Sequence, residues 1–298
     1  MMKDYLTRKR QLLQELRTFT GLDMEIAEDG QQDEEHVLSV LDAFCEPYRT
    51  QMDAGSFWLA FLQGALSEED EEKGLSHHQR TEVGAAVIYL LYFPQGYDET
   101  VTEILSGFAG ASDHILEQDE AHVILLRLLR APLGQDRLQE TASEIADTLS
   151  ADAMIPVYVS YDSCVDDLVK LPQSFQRVTL TESCGLLFSS SERVHAYGRL
   201  GLGKLVSKLS HDDCREYLIE HLGEFRFSSL DAELSTTIRM FFEAGLSIAQ
   251  TARRLYIHRN TLVYRLDKFA RQSGLDLRNF DDAVTARLAM LMEAYLEG

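Results

Sequence analysis

Residues 247–266 read SIAQTARRLYIHRNTLVYRL, and two apolar ladders at helical spacing run through this stretch and just beyond it. Side chains three and four residues apart lie on one face of an α-helix. The two ladders are Ile248, Ala252, Leu255 and then Leu262, Leu266, Phe269. Ile257 stands between them, where a turn between two crossed helices buries one side chain. The stretch therefore predicts a helix-turn-helix.

The ends of the first helix carry recognisable signals. Gly245 closes the preceding helix, and Ser247 with Gln250 forms a capping-box pattern. Ala252 is small at the point where two crossed helices come closest, which favours a packed corner over one continuous helix. Tyr256 stands where glycine often makes the turn. Because a bulky residue at positive φ is strained, we expect this turn to have a different geometry.

The segment 247–273 is basic, whereas the chain as a whole is acidic. It holds six cations and one acid, a net charge of +5, in a chain of net charge −21, so the remainder carries −26. The cations are Arg253, Arg254, Arg259, Arg265, Lys268 and Arg271, and the acid is Asp267. A chain that repels phosphate everywhere except in one short segment predicts nucleic-acid binding by that segment.

The second helix supplies the candidate contacts. Its N-terminal end is the end that enters the major groove in this motif, and arginine and asparagine there can bind guanine and adenine. We expect Arg259 and Asn260 to contact bases or groove-edge phosphates. Thr261, Arg265 and Lys268 share one polar stripe at helical spacing, and Tyr264, Arg265 and Lys268 are expected on the DNA backbone. The predicted contacts are Arg253, His258, Arg259, Asn260, Thr261, Tyr264, Arg265 and Lys268.

An alternative interpretation leaves the same residues without a ligand. The two helices would then form a solvated amphipathic pair, in which Asn260 caps the second helix and Tyr264 packs against the first. For the individual residues the two interpretations remain open. For the whole segment, caps, core spacing and charge agree, and together they favour DNA binding.

At this point the residues resemble a known family. Residues 234–296 are similar to the C-terminal helix-turn-helix domain of PucR/CdaR-type bacterial transcription regulators. The most specific part is HRNTLVYRL at 258–266, which matches without a gap. An aromatic pair with glycine at 241–245, a link at 274–277 and a closing helix at 281–296 complete the pattern. The resemblance implies a cytoplasmic regulator that binds double-stranded DNA as a homodimer and responds to a small-molecule effector.

Composition sets the wider frame. The length of 298 residues suffices for two or three domains, and 45% hydrophobic and 26% charged residues are ordinary for a soluble chain. Residues 1–10 lack an apolar signal stretch, and the longest apolar run, 85–93, is too short to cross a bilayer. The four cysteines are scattered, without the spacing of metal sites. We therefore expect a cytoplasmic protein without membrane segment, metal or cofactor.

The whole chain predicts an α+β protein. We expect a helical N-terminal region at 1–80, with helices near 33–48 and 56–66 and an acidic helix or linker at 68–72. An α+β middle domain follows at 81–190, a helical linker at 191–228 with a helix at 212–222, and the DNA-binding domain at 229–298. The middle domain is predicted to contain strand 87–93, helix 98–108, hairpin 113–129, helix 137–149, strand 155–159, helix 164–171 and strand 185–188.

The order and position of the middle domain resemble the degenerate GGDEF-like domain of many family members. An active diguanylate cyclase carries Gly-Gly-Asp/Glu-Glu-Phe in this hairpin, whereas residues 117–121 read EQDEA. The first strand ends in PQG at 94–96, without the carboxylate expected to hold a metal. We therefore predict a mixed-sheet domain without catalysis. Two rival hypotheses are a nucleotide-binding or nucleotide-cyclising enzyme and an adaptor whose basic helices dock an acidic protein.

Overall fold

The computed structural model describes residues 8–10, 12–14, 16–17, 34–49, 53–78, 83–189 and 192–297. They fall into two compact units. The first, called the sheet unit here, lies within residues 1–185 and 190–200, and the second, the helical unit, comprises 186–189 and 201–298. None of the described helices is both long enough and apolar enough to cross a bilayer.

Among the described residues, helical residues within 8–17 and then three bounded helices precede the sheet: α1 (Glu34–Arg49), α2 (Ala54–Leu62) and α3 (Glu68–His78). Helices were predicted near 33–48 and 56–66, and both are confirmed; the acidic stretch 68–72 opens α3. The Asp53 carboxylate caps α2 by accepting a hydrogen bond from the Ser56 N–H at 2.8 Å. A small separate core joins the N-terminal helical residues to α1 through Leu12, Leu16, Val37, Leu41 and Cys45.

Within the described part of the chain, the sheet has five strands in the order β2-β3-β1-β4-β5. β4 and β5 run parallel, and all other neighbours are antiparallel. In chain order, the strands and the helices between them are β1 (Ala85–Tyr92), α4 (Glu99–Phe108), β2 (His114–Glu117), β3 (His122–Leu129), α5 (Gln135–Thr148), β4 (Tyr158–Tyr161), α6 (Leu171–Phe188) and β5 (Val194–Ala196). The predicted α+β class and the β-α-β-β-α-β order are thereby confirmed.

Helices cover both faces of this sheet, which explains why β1 is apolar along its whole length. Side chains of a strand alternate between the two faces. Ile88 and Leu90 share a core with residues of α2 and α6. Tyr89 and Leu91 share the opposite core with residues of α4 and α5. Because neither face of β1 meets water, its sequence shows no polar alternation.

The predicted strand at 185–188 is wrong, since these residues end helix α6. Polar Thr181 and Glu182 are buried along with the apolar side chains of α6, so its helical periodicity is hard to detect in the sequence. Gly185 has a packing role: a Cβ there would lie 2.3 Å from Cγ of His195, which is buried on β5. The strand predicted at 155–159 is shifted to β4, and a 3₁₀ turn, Leu168–Lys170, replaces most of the helix predicted at 164–171.

The helical unit contains six α-helices among its described residues: α7 (Gly201–Val206), α8 (His211–Leu222), α9 (Ala232–Glu243), α10 (Ile248–Arg254), α11 (Arg259–Ser273) and α12 (Phe280–Glu297). α12 packs against α7 and α8. The helix predicted at 212–222 is confirmed as α8, together with the burial of Cys214, Leu218 and Leu222. The closing helix predicted at 281–296 is confirmed as α12.

A buried carboxylate ties α12 to the segment in front of α9. Glu293 is only 6% exposed, and its two oxygens accept hydrogen bonds from backbone N–H groups. The donors are Phe227, at 2.8 Å, and Ser228, at 2.7 Å, in the 3₁₀ turn Phe227–Ser229. This pair of bonds satisfies the N-terminal amides of that turn, so Glu293 acts as its cap.

Candidate nucleic-acid interface

Helices α9, α10 and α11 pack around one apolar core, as the two ladders predict. Ala252, Leu262, Leu266 and Phe269 are each at most 6% exposed, and Ile248 and Ile257 pack against them from the edge. The Ser247 hydroxyl caps α10 by accepting a hydrogen bond from the Gln250 N–H at 3.4 Å. The predicted packed corner is confirmed.

The turn between α10 and α11 has the conformation that we expected it to avoid. Tyr256 adopts φ of 54°. Its N–H donates to the Arg253 carbonyl at 3.2 Å, and the Ile257 N–H donates to the Ala252 carbonyl at 3.0 Å. These two bonds define a Schellman motif, which requires a left-handed residue at the position of Tyr256. Ile257 and Ala252 also meet in the core. The expectation was wrong because the two hydrogen bonds and this contact outweigh the strain of a single residue.

The strain at Tyr256 leads to a stability prediction. The Tyr256 side chain is 96% exposed, so its removal loses no packing. Glycine avoids the Cβ penalty of about 1–2 kcal/mol but gains unfolded-state entropy, so Tyr256→Gly should raise the free energy of unfolding by about 0.5 kcal/mol. Tyr256→Ala keeps the strain and serves as the matched control. Urea denaturation followed by circular dichroism makes the comparison, and a Gly variant no more stable than the Ala variant would refute this explanation of the turn.

His258, rather than Asn260, caps α11. Its backbone is extended, and its Nδ1 accepts a hydrogen bond from the Asn260 N–H at 3.2 Å. The alternative in which Asn260 caps the helix is therefore wrong, because Asn260 already lies inside the first turn. The side chains of Arg259, Asn260 and Thr261 are exposed there. The helix N-terminus is thus capped by an imidazole and surrounded by free polar groups.

The face of α11 opposite its core carries Asn260, Tyr264, Asp267 and Arg271, at helical spacing. Tyr264 is 64% exposed and extends into solvent, so it does not pack against the first helix as the alternative required. Asp267, the single acid of the basic segment, is paired with Arg278 at 2.8 Å. Its charge on this face is therefore balanced by a cation from outside the segment.

Two predicted contact residues lie on the flank of α11 that faces α9. The side chain of Arg265 is 15% exposed, donates to Thr237 Oγ1 at 3.0 Å and forms a short ion pair with Glu233. Lys268 Nζ donates to Asp231 Oδ2 at 2.6 Å. This hydrogen bond raises the pKa of Lys268 and lowers the pKa of Asp231. Of the predicted stripe, Thr261 alone lacks a partner on α9 or its N-cap Asp231 among the described residues.

Four arginines of the segment remain exposed without an ion-pair partner among the described residues. They are Arg253, Arg254, Arg259 and Arg271. Arg254 and Arg271 were absent from the predicted contacts, although both were counted in the segment's charge. The helical wheel of α11, centred on its buried Leu262, Leu266 and Phe269, places Arg271 on the outward face and could have identified it. The candidate interface thus combines free guanidinium groups with a capped helix end.

Comparison with known proteins agrees with this geometry. Residues 234–292 match the family model of the PucR C-terminal helix-turn-helix domain. An uncharacterised Haemophilus influenzae protein is 34% identical over 42% of this chain and 33% of its own length. The purine catabolism regulatory protein of Bacillus subtilis is 28% identical over 42% of this chain and 24% of its own. The carbohydrate diacid regulator of Escherichia coli is 28% identical over 41% of this chain and 32% of its own.

The aligned part of the chain spans a third or less of the length of each of these relatives. The family match lies on the helices α9 to α12 that carry the exposed arginines and the capped helix end. The resemblance seen in the HRNTLVYRL string is confirmed by it. The C-terminal part of this chain is therefore a PucR-type helix-turn-helix domain.

Proposed function

We propose that the protein is a sequence-specific DNA-binding transcriptional regulator. The observation that carries the proposal is the set of four free arginines around a helix-turn-helix in a chain of net charge −21. In this proposal Arg259 and Asn260 contact base edges, with His258 at the groove. Arg253, Thr261 and Tyr264 hold phosphates, joined by Arg254 and Arg271, which no acid neutralises within the described residues. Two of the relatives are themselves named as regulators.

A dimer fits the size of this interface. One recognition helix reads only a few base pairs, so specific binding by such a motif usually needs a second copy roughly 34 Å away, one DNA turn. We propose that the protein acts as a homodimer in the cytoplasm and that a small-molecule effector controls it. The sheet unit, which lies outside the matched segment, is the part we assign to effector response.

The sheet unit is proposed to be a degenerate GGDEF-like domain. The antiparallel hairpin β2–β3 beside β1 supports this assignment. Its turn uses Asp119 structurally: Oδ1 accepts from the Ala121 N–H at 2.8 Å and lies 2.8 Å from Nδ1 of His122. The hydrogen bond to Glu182, helped by Asp119, raises the pKa of His122 to about 9. With glycines absent from 117–121 and Asp119 so engaged, we assign the sheet unit no catalytic step.

In vitro selection tests the proposed function. The full-length chain is incubated with random-sequence duplex DNA, and bound molecules are amplified over several rounds. We expect one motif to be enriched, present twice in each site as inverted or direct repeats. If the enriched sites contained the motif only once, the protein would still be a sequence-specific DNA binder, but the proposed dimer would be refuted. If the bound DNA had the same sequence distribution as the starting pool, this would contradict sequence-specific binding and favour the adaptor hypothesis. A variant with Arg253→Gln and Arg259→Gln is the matched control.

A further inference from the structure

Two cations of α11 are turned toward α9, and the first of them, Arg265, belongs to a polar cluster with Thr237 and Glu233. Arg265 donates to Thr237 Oγ1, and the Thr237 hydroxyl donates in turn to the Glu233 carbonyl at 2.8 Å. Thr237 is fully buried, so its hydroxyl has both a donor and an acceptor inside the protein. The second nitrogen of the guanidinium pairs with the Glu233 carboxylate. A planar guanidinium satisfies two acceptors at a fixed angle, which restricts how α11 is rotated.

A second pair lies one helical turn along α11. Lys268 donates to Asp231, whose other carboxylate oxygen caps α9 by accepting from the Leu234 N–H at 2.8 Å. Asp231 therefore holds both the start of α9 and the middle of α11. Because α11 is attached at two points, Arg265 and Lys268, both its position along α9 and its rotation are restricted.

These two cations differ from the four free arginines because each of them is paired with a carboxylate. A cation already paired with a carboxylate gains little from a phosphate, because the neighbouring acid repels the DNA. Such a pair also releases fewer counterions when DNA binds. We propose that Arg265 and Lys268 are positioning residues, held by Glu233 and Asp231, which set the angle at which α11 presents Arg259 and Asn260 to DNA. This inference rests on the proposed DNA-binding function.

Glu233→Gln gives the sharpest test, because electrostatics alone and the inference predict opposite results. Removing an acid near bound DNA raises affinity through electrostatics. If Glu233 holds Arg265, Glu233→Gln instead lowers the affinity for the selected site by roughly tenfold. Glu243→Gln, at the other end of α9, is the matched control and should leave the affinity unchanged or slightly higher. All affinities are measured on full-length protein at a temperature where circular dichroism shows every variant folded.

The salt dependence of binding distinguishes positioning from phosphate contact. Arg265→Gln should weaken binding with the slope of log affinity against log salt unchanged, whereas loss of a phosphate contact reduces that slope by about one. The double variant Glu233→Gln with Arg265→Gln should be no weaker than Arg265→Gln alone, since both changes break one cluster. Should Arg265→Gln fail to fold, Asp231→Asn carries the test: asparagine still caps α9, but Lys268 loses its charged partner.

Two results would overturn the inference. One is a Glu233→Gln protein that binds DNA as tightly as the wild type or more tightly. The other is an Arg265→Gln protein whose salt slope falls by about one, as expected for a phosphate contact. A wild-type protein that binds no DNA would refute the proposed function itself, so the two failures are distinguishable.

Discussion

Glu293→Ala is expected to lower the free energy of unfolding of the helical unit by about 3 kcal/mol. The change leaves the N–H groups of Phe227 and Ser228 without their carboxylate acceptors, which lie 2.8 and 2.7 Å away in the wild type. It also opens space beside α12, where Glu293 is 6% exposed. The same side chain links α12 to the segment entering α9, so the packing of the helix-turn-helix domain depends on it.

Chemical denaturation with two probes measures this loss. The single tryptophan, Trp58, lies in the sheet unit, so its fluorescence follows that unit, whereas far-ultraviolet circular dichroism follows all helices. In Glu293→Ala the dichroism transition should move to lower denaturant while the tryptophan transition stays. Glu293→Gln keeps one acceptor, the amide carbonyl oxygen, and should lose about half as much. Glu297 is exposed near the end of the same helix, and Glu297→Ala is the control. If the dichroism transition of Glu293→Ala had the same midpoint as that of the wild type, the capping role would be contradicted.

Arg259→Ala is expected to weaken binding to the selected DNA site by about 1–3 kcal/mol, the cost of one lost base contact. The guanidinium is exposed and has no ion-pair partner among the described residues, so its removal leaves no buried group unsatisfied. The thermal stability of the variant should therefore equal that of the wild type. A fluorescence-anisotropy titration gives the affinity, and differential scanning calorimetry gives the stability.

The matched control for Arg259→Ala is Arg215→Ala, an exposed arginine of α8 paired with Asp212 at 2.9 Å. Arg215→Ala changes the net charge by the same amount as Arg259→Ala, but Arg215 lies outside the matched domain. If Arg259→Ala bound DNA as well as Arg215→Ala does, the N-terminal end of α11 would not be the base-reading element. The same result in Arg253→Ala would move the interface away from the helix-turn-helix altogether.

Several local features of the helix-turn-helix domain could be predicted from the sequence because neighbouring residues determine them, although the turn at Tyr256 was not one of them. The apolar ladders, the left-handed Gly245 and the Ser247 cap each depend on a few adjacent positions. The ion pairs of Arg265 and Lys268 could not be found this way, since Glu233 and Asp231 lie more than 30 residues earlier. A helical wheel of α11 alone does not show which flank α9 covers.

In the sheet unit, too, local features could be predicted from the sequence and long-range contacts could not. The hairpin β2–β3 follows from two apolar arms around a polar turn, and it was placed within a few residues. α6 was missed because it carries buried polar side chains, and its apolar C-terminal run at 185–188 imitates a strand. β5 has only three residues, too few for a periodic signal, and its pairing with β4 is a long-range contact.

The most direct measurement is the affinity of the full-length chain for its selected duplex across a range of salt concentrations. We predict a linear fall of log affinity with log salt, with a slope of about 0.9 for each neutralised phosphate, and a slope shallower by about one in variants that lose a phosphate-binding arginine such as Arg253. An affinity that does not change with salt, or a slope that stays the same when Arg253, Arg254 and Arg271 are removed one by one, would contradict DNA binding through this exposed face.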